Sequence, residues 1–540
     1  MPEVGGGVRL GSMPSGISRG VDGGAHGPKD QLLRGSWSSK YSSVRLIGKR
    51  AAHASDATCC ALPHQQMRGS NPRVLPSGAD PEARLRGDVK NIKATAAKRL
   101  PRGSKWHKCG GKDLEEHLAY TTLIDSAWLL KFALGDVMPE LKGVVPAWQQ
   151  VPPEAMVKLE DLRYTTMNYT LPVGVLSYGW AAKHHPDPTG EQLHRLVPLL
   201  RTMVEMCEKG TGGSRYGGKP RVWGIVWDYM SLPQRGHTTG YVDDERDSDD
   251  KVTKTNDDRS PYELARFGMG LKAINVWYAH AYVTTLVLDT PMPTSAVNSA
   301  PVEQRGWCLF ERALSNLVKN GWCCLALSQL PAEDDSAFDW WRNLVVPLRA
   351  SRAAPLSPDE FERILTEGMA REDASPGSGI RFTNGKDARA VCIPQYREAF
   401  LRLLRGTKEL EYGGCGWGDP EAEQFAIALE WAHEHGVETP VTRLYLGGNA
   451  LTDASLPRLI AALAAVTPRL EKLFLRKNKL SDAGARVLAA AISDGKLPKL
   501  KKLDVLGNAI GDEAKAELEA AWRGAGRRCG CFGRAGPGVL

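Results

Sequence analysis

The chain has 540 residues, 42% of them hydrophobic and 24% charged, which is enough apolar material for several buried cores and too much chain for one ordinary domain. No apolar run approaches the ~18 residues of a membrane span, and the opening MPEVGGGVRLGSMPSG lacks the apolar centre of a secretory signal. The net charge of +8 is uneven: 19 of the 70 Lys and Arg but 7 of the 62 Asp and Glu lie in the first 110 residues, leaving +12 there and −4 in the rest.

That basic stretch is rich in Gly, Ser, Arg and Pro, so residues 1–110 are expected to be a disordered leader. Its composition also suits an organelle import segment, against the cytoplasmic location that the rest of the chain suggests. Without interleaved aromatic residues it predicts no specific nucleic-acid site. The eleven cysteines are scattered and lack the paired spacing of a zinc centre, so no metal site is expected.

From residue 113 to 161 apolar clusters such as AWLLKFALGDV predict a helical lead-in. PVGVLSY (172–178) is a short apolar run ended by Gly179, the pattern of a buried strand, and EQLHRLVPLLRTMVEMCEK follows with helical spacing. RVWGIVWD (221–228) reads as a second strand, followed by an acidic surface loop over 241–259. ELARFGMGLKAINVWY reads as a helix with Leu264, Phe267, Leu271, Ile274 and Tyr278 on one face, YVTTLVLD (282–289) as a third strand, RGWCLFERALSNLV as a helix and GWCCLAL (321–327) as a fourth strand. This alternation over 113–330 predicts an α/β fold, a parallel sheet with helices on both faces, whose ligand rim lies beyond the carboxyl ends of the strands. Ser177, Tyr178, Trp180, Asp228 and Asp289 fall on that rim.

Residues 331–412 read as a helical extension. Over 413–525, VTRLYLGGNALTD, LEKLFLRKNKLSD and LKKLDVLGNAIGD repeat one pattern, with Asn449, Asn478 and Asn508 spaced 29 and 30 apart and a flexible tail over 526–540. LxxLxLxxNxLxD over about 438–525 resembles the leucine-rich repeats of the ribonuclease-inhibitor type. The resemblance implies a short α/β solenoid with a helical cap, whose concave strand face of Arg443, Tyr445, Lys472, Phe474, Lys502 and Asp504 binds a protein partner. A short array that only stabilises its neighbour is the other reading.

On a helical wheel Trp307, Phe310, Leu314, Leu317 and Val318 make an apolar stripe, and Glu311 lies on its margin. Two readings follow: a side chain that snorkels outward or pairs with Arg305, Arg312 or a first-turn amide, or a partly desolvated carboxyl with a raised pKa.

In order, LPVGVLSYGW, VWGIVWDYMSLPQ, INVWYAHAYVTTLVLD and RGWCLFE resemble the blocks of the fungal heterokaryon-incompatibility domain over about 165–330, itself similar to TIR domains with their flavodoxin-like sheet and WCxxE element. The resemblance implies homotypic assembly, or cleavage of the nicotinamide–ribose bond of NAD or NADP with Glu311 as catalytic carboxylate and Ser177, Tyr178, Trp180, Asp228 and Trp307 around the nucleotide. NAD would then be substrate, and no cofactor is required. The chain departs from the TIR pattern in its longer loop between Asp289 and Trp307 and in the insertion at 241–259, where TIR domains carry an assembly loop.

Overall fold

The computed structural model describes residues 80–210, 218–237, 242–246, 252–330, 345, 348, 352–382 and 384–527. A five-stranded sheet is built from β1 (Ile124–Asp125), β2 (Val173–Ser177), β3 (Gly224–Val226), β4 (Thr284–Val287) and β5 (Cys324–Ala326), in the spatial order β1-β3-β2-β4-β5. The last four are parallel, and β1 pairs antiparallel with β3 at the edge. Every residue of β2 is buried. Pleating sends Val173 and Val175 to one core and Leu176 to the other.

Between the parallel strands run α3 (Val197–Lys209), α4 (Pro261–Ala279) and α5 (Gly306–Val318). α3 packs with α2 (Ser126–Leu134) on the Leu176 side, whereas α4 and α5 cover the Val175 side. β2 therefore stands where the winding reverses, with β3 on one flank and β4 on the other.

Two expectations for the amino-terminal part need correction. Residues 80–110 are not a structureless leader: α1 (Pro81–Ala96) is capped by Asp80, which accepts from the Glu82 amide at 3.0 Å. It docks on α4, where Tyr262 donates to Asp88 at 2.7 Å and the Arg84 guanidinium sits 4.2 Å from the Tyr262 ring centre. Trp106 then buries completely and donates to Glu115 at 2.9 Å. Composition averaged over the leader hides these few anchoring residues; the remainder of it, 1–79, lies outside the described residues. The lead-in over 113–161 is also mostly short single turns, with α2 its longest helix and β1 an added edge strand. On α4 the expected face is partly displaced, since Ile274 and Tyr278 are buried but Leu264 is exposed.

Beyond α6 (Pro358–Ala374) and α7 (Ile393–Gly406), a second sheet contains four parallel strands, β6 (Glu409–Glu411), β7 (Arg443–Tyr445), β8 (Lys472–Phe474) and β9 (Lys502–Asp504), in the order β9-β8-β7-β6. Each is followed by a helix: α8 (Asp419–Glu434), α9 (Leu456–Val466), α10 (Asp482–Ser493) and α11 (Asp512–Gly524). In-register Leu410, Leu444, Leu473 and Leu503 point inward with no exposure. Asn478 ties its own turn to the one before it: its amide nitrogen donates to the Leu446 and Leu475 carbonyls, both at 2.9 Å, and its oxygen accepts from the Leu451 amide at 3.1 Å. β6 lies in a stretch that reads as helical, because KELEYGG carries neither the asparagine nor the full leucine spacing.

An aromatic chain joins the two sheets. Phe310 of α5 meets Phe361 at 6.2 Å, Phe361 stacks on Tyr396 at 4.1 Å, and Phe400 meets Trp431 of α8 edge-on at 5.5 Å. Among the described residues no helix is long and apolar enough to cross a membrane.

Candidate functional site

The helix α5 starts where Arg305 is pinned. The residue is 8% exposed, and its guanidinium donates to the Ala300, Trp180 and Asn298 carbonyls, each at 2.8 Å. Gly179 lies against that group so closely that a Cβ there would come within 2.6 Å of Arg305 Nε. From this start, helical spacing buries Phe310, Leu314 and Leu317 and turns Glu311 toward the carboxyl end of β2.

There Ser177 Oγ donates to Glu311 Oε2 at 2.6 Å. The carboxyl head is surrounded by protein while part of the residue still reaches solvent, and burial pushes its pKa up to about 8. The hydroxyl of Ser177 and that of Tyr278 oppose the shift, and the neighbouring Asp228 adds to it. The paired alternatives fall away: Arg312 bonds Glu303 at 3.3 Å and Arg305 bonds carbonyls.

Asp228 caps the far side of the same rim. Tyr178 Oη donates to its Oδ1 at 2.6 Å, Trp180 Nε1 to its Oδ2 at 3.1 Å, and the Tyr229 amide to Oδ1 at 2.7 Å. Burial holds its pKa above the usual aspartate value despite these donors. The Tyr178 ring packs edge-on against Trp227 and the Trp180 ring against Tyr229, each at 5.7 Å. Asp289, two residues beyond β4, is bonded to Ser328 by both oxygens, at 2.7 and 2.8 Å.

Ser177, Tyr178, Trp180, Asp228 and Glu311 are thus brought together. Trp307 is not: it donates to Asp387 at 3.0 Å, meets Phe310 edge-on at 5.9 Å and belongs to the core on the α5 side of the sheet, whereas Tyr178 and Trp180 join the opposite core.

The strand face of the second sheet gathers the other candidate residues. Tyr445 and Phe474 stack with ring centres 4.5 Å apart and planes 1° from parallel, and Lys502 Nζ lies 5.2 Å from the Phe474 ring centre. Arg443 pairs with Glu409, and Arg443, Tyr445, Lys472, Phe474 and Lys502 all remain partly exposed. Asp504 does not belong with them. It is 6% exposed, and its carboxylate accepts from the Leu506 amide at 3.1 Å, closing the turn after β9.

Comparison with protein families and with curated proteins returns no match. The chemistry must therefore be read from the side chains.

Among the described residues no group of His, Cys, Asp and Glu could hold a metal ion. Two members of the rim escape the sequence pattern. Tyr278, 2% exposed, donates to the Leu176 carbonyl at 2.8 Å and faces Glu311, and Cys308 Sγ lies 3.1 Å from the Tyr178 carbonyl. Tyr278 is visible in the sequence only as one more apolar position of a helix face. A carboxyl with a pKa near 8 beside a serine hydroxyl is mostly protonated at neutral pH, so it can give a proton or hold a ligand hydroxyl, and it can take a proton only once ionised.

Proposed function

We propose that this chain is a signalling or scaffold protein in which the strand–helix array from β6 onward acts as a leucine-rich-repeat module that binds a protein partner, and the α/β domain acts as a TIR-like assembly domain. The observation that carries the reading is the Tyr445–Phe474 stack, left partly exposed and flanked by Arg443, Lys472 and Lys502. Rigid aromatic rings beside cations are the residue types that dominate binding energy at protein interfaces, because they lose little rotamer freedom on contact. The inward leucines and the asparagine ladder support the repeat assignment. For the assembly part, support comes from the ordered blocks over 165–330 and from a parallel strand order of second, first, third, fourth, the order of flavodoxin-like sheets.

Replacing Tyr445 with Ser and Lys472 with Glu in the full chain tests this reading. Partners retained by the wild type are expected to lose about tenfold or more in affinity, with folding unchanged by circular dichroism. Equal retention by both proteins would remove the strand face as the binding surface.

A second reading, an NAD(P) glycohydrolase, is favoured by one observation: Glu311 meets Ser177 and lies near Asp228 where the winding of the sheet reverses. Breaking an N-glycosidic bond develops positive charge on the ribose, which a fixed carboxylate stabilises once its proton has left. Concentrated protein incubated with NAD would then release nicotinamide, and Glu311→Ala would not. Equal release from both, or none from either, rejects it.

A further inference from the structure

The far end of the helix that carries Glu311 is closed from outside the helix, by Arg352 and Tyr412. An α-helix leaves its last carbonyls without intrahelical donors. In α5 the Asn316 carbonyl accepts from Arg352 Nη2 at 2.9 Å, the Lys319 carbonyl from Arg352 Nη1, and the Leu317 carbonyl from the Tyr412 hydroxyl. Arg352 is 1% exposed and Tyr412 fully buried. A cation at this end also complements the helix dipole.

Both capping groups are anchored in the second sheet. Arg352 Nη1 reaches the Glu411 carbonyl of β6 at 3.2 Å, and Trp417 Nε1 donates to the Arg352 carbonyl at 2.7 Å. The Tyr412 ring stacks on Trp417 at 4.6 Å. The Tyr412 amide donates to the Tyr445 carbonyl at 2.9 Å, and Asn449 Nδ2 donates to the Tyr412 carbonyl at 2.9 Å. Tyr445 carries the stacked ring of the strand face. A continuous run of bonds therefore leads from that face through Tyr412 to Leu317, and from there about 9 Å back along a rigid helix to Glu311.

We propose that Arg352 and Tyr412 are positioning residues that couple the strand face of the array to the Ser177–Glu311 pair, so that displacement of β6 and β7 by a bound partner moves or loosens α5. The inference rests on the proposed partner binding for its physiological trigger, but the bonds that carry it exist in the free chain. Packed interfaces respond in discrete steps and not as continuous springs, which suits a cap that is either made or broken.

Hydrogen exchange on the full-length protein tests it without any partner. Tyr412→Phe removes only the hydroxyl donor and is expected to speed exchange roughly three- to tenfold across α5 and in β2 up to Ser177, while β8, β9, α10 and α11 keep their rates. Tyr445→Ala is expected to speed exchange in α5 in the wild-type background and to add nothing in the Tyr412→Phe background. If Tyr412→Phe does not fold, Arg352→Lys, which keeps the charge but loses the two-pronged cap, takes its place. A change confined to residues 316–320, or an equal effect of Tyr445→Ala in both backgrounds, overturns the coupling. Because the readout is exchange and not capture, such a result leaves the partner-binding reading to its own test.

Discussion

Ser177 and Glu311, 134 residues apart in the chain, meet in a 2.6 Å hydrogen bond at the carboxyl end of the central strand β2. Burial keeps the carboxyl protonated to about pH 8, whereas in the unfolded chain it ionises near its ordinary value of 4.5. The folded state thus holds a proton that the unfolded state has released between those values, and stability from this group is full below the lower pKa and lost as pH rises through the upper one. Wild type is expected to lose stability from about pH 5 to about pH 8.5, and Glu311→Gln, which mimics the protonated acid, is expected to flatten that slope. Urea midpoints across the range measure it; a residual slope of the same sign is expected from Asp228, whose pKa is also raised. Parallel slopes in wild type and Glu311→Gln would show that the carboxyl is ionised throughout.

Lys319 gives the opposite sign. It is fully buried, its ammonium donates to the His280 and Val283 carbonyls at 2.8 and 2.5 Å, and burial pulls its pKa down to about 7. The unfolded chain then binds more protons than the folded one between about 7 and 10.5, so this residue adds stability as pH rises through that window. Replacing it with Met is expected to steepen the alkaline fall in stability relative to wild type. Differential scanning calorimetry at about pH 7 and about pH 9 reads the difference.

Arg305 holds three segments at once. Arg305→Met leaves the Ala300, Trp180 and Asn298 carbonyls without their donor and is expected to cost at least about 3 kcal/mol. Gly179→Ala is expected to disturb the same spot from the other side, since its Cβ would meet the pinned guanidinium. Chemical denaturation gives both values, and a loss below about 1 kcal/mol for Arg305→Met would mean that water replaces the guanidinium at little cost.

In the array, Asn478→Ala removes two donor bonds and one acceptor bond inside the stack and is expected to cost about 2–4 kcal/mol. Its effect is expected in exchange rates of β7, β8 and β9 together, because each asparagine spans neighbouring turns.

Much of this architecture is legible in the sequence where a pattern is dense. PVGVLSY has no polar residue until Ser177, so its burial on both faces follows from composition, and the three asparagines at near-equal spacing announce a stacked array. What escapes has a physical reason in each case. α1 is anchored by the Tyr262–Asp88 bond and the segment after it by the Trp106–Glu115 bond, contacts invisible to local composition. β1 is only two residues long, below any periodicity, and β6 lacks the repeat's asparagine because its turn borrows Asn449 of the next one. At the rim, Ser177, Tyr178 and Trp180 come from one strand end and keep together, but Trp307 is one helical turn before Glu311 and packs on the α5 side of the sheet. Asp504 likewise looks like a surface charge until its own turn folds back on it.

The most direct measurement is photo-crosslinking from the strand face in living cells. A photoreactive residue placed at Tyr445 should yield discrete adducts with a protein partner, whereas the same group at Glu517 on α11, outside that face, should not. Adducts that are the same from both positions, or absent from Tyr445, would contradict partner binding by the strand face.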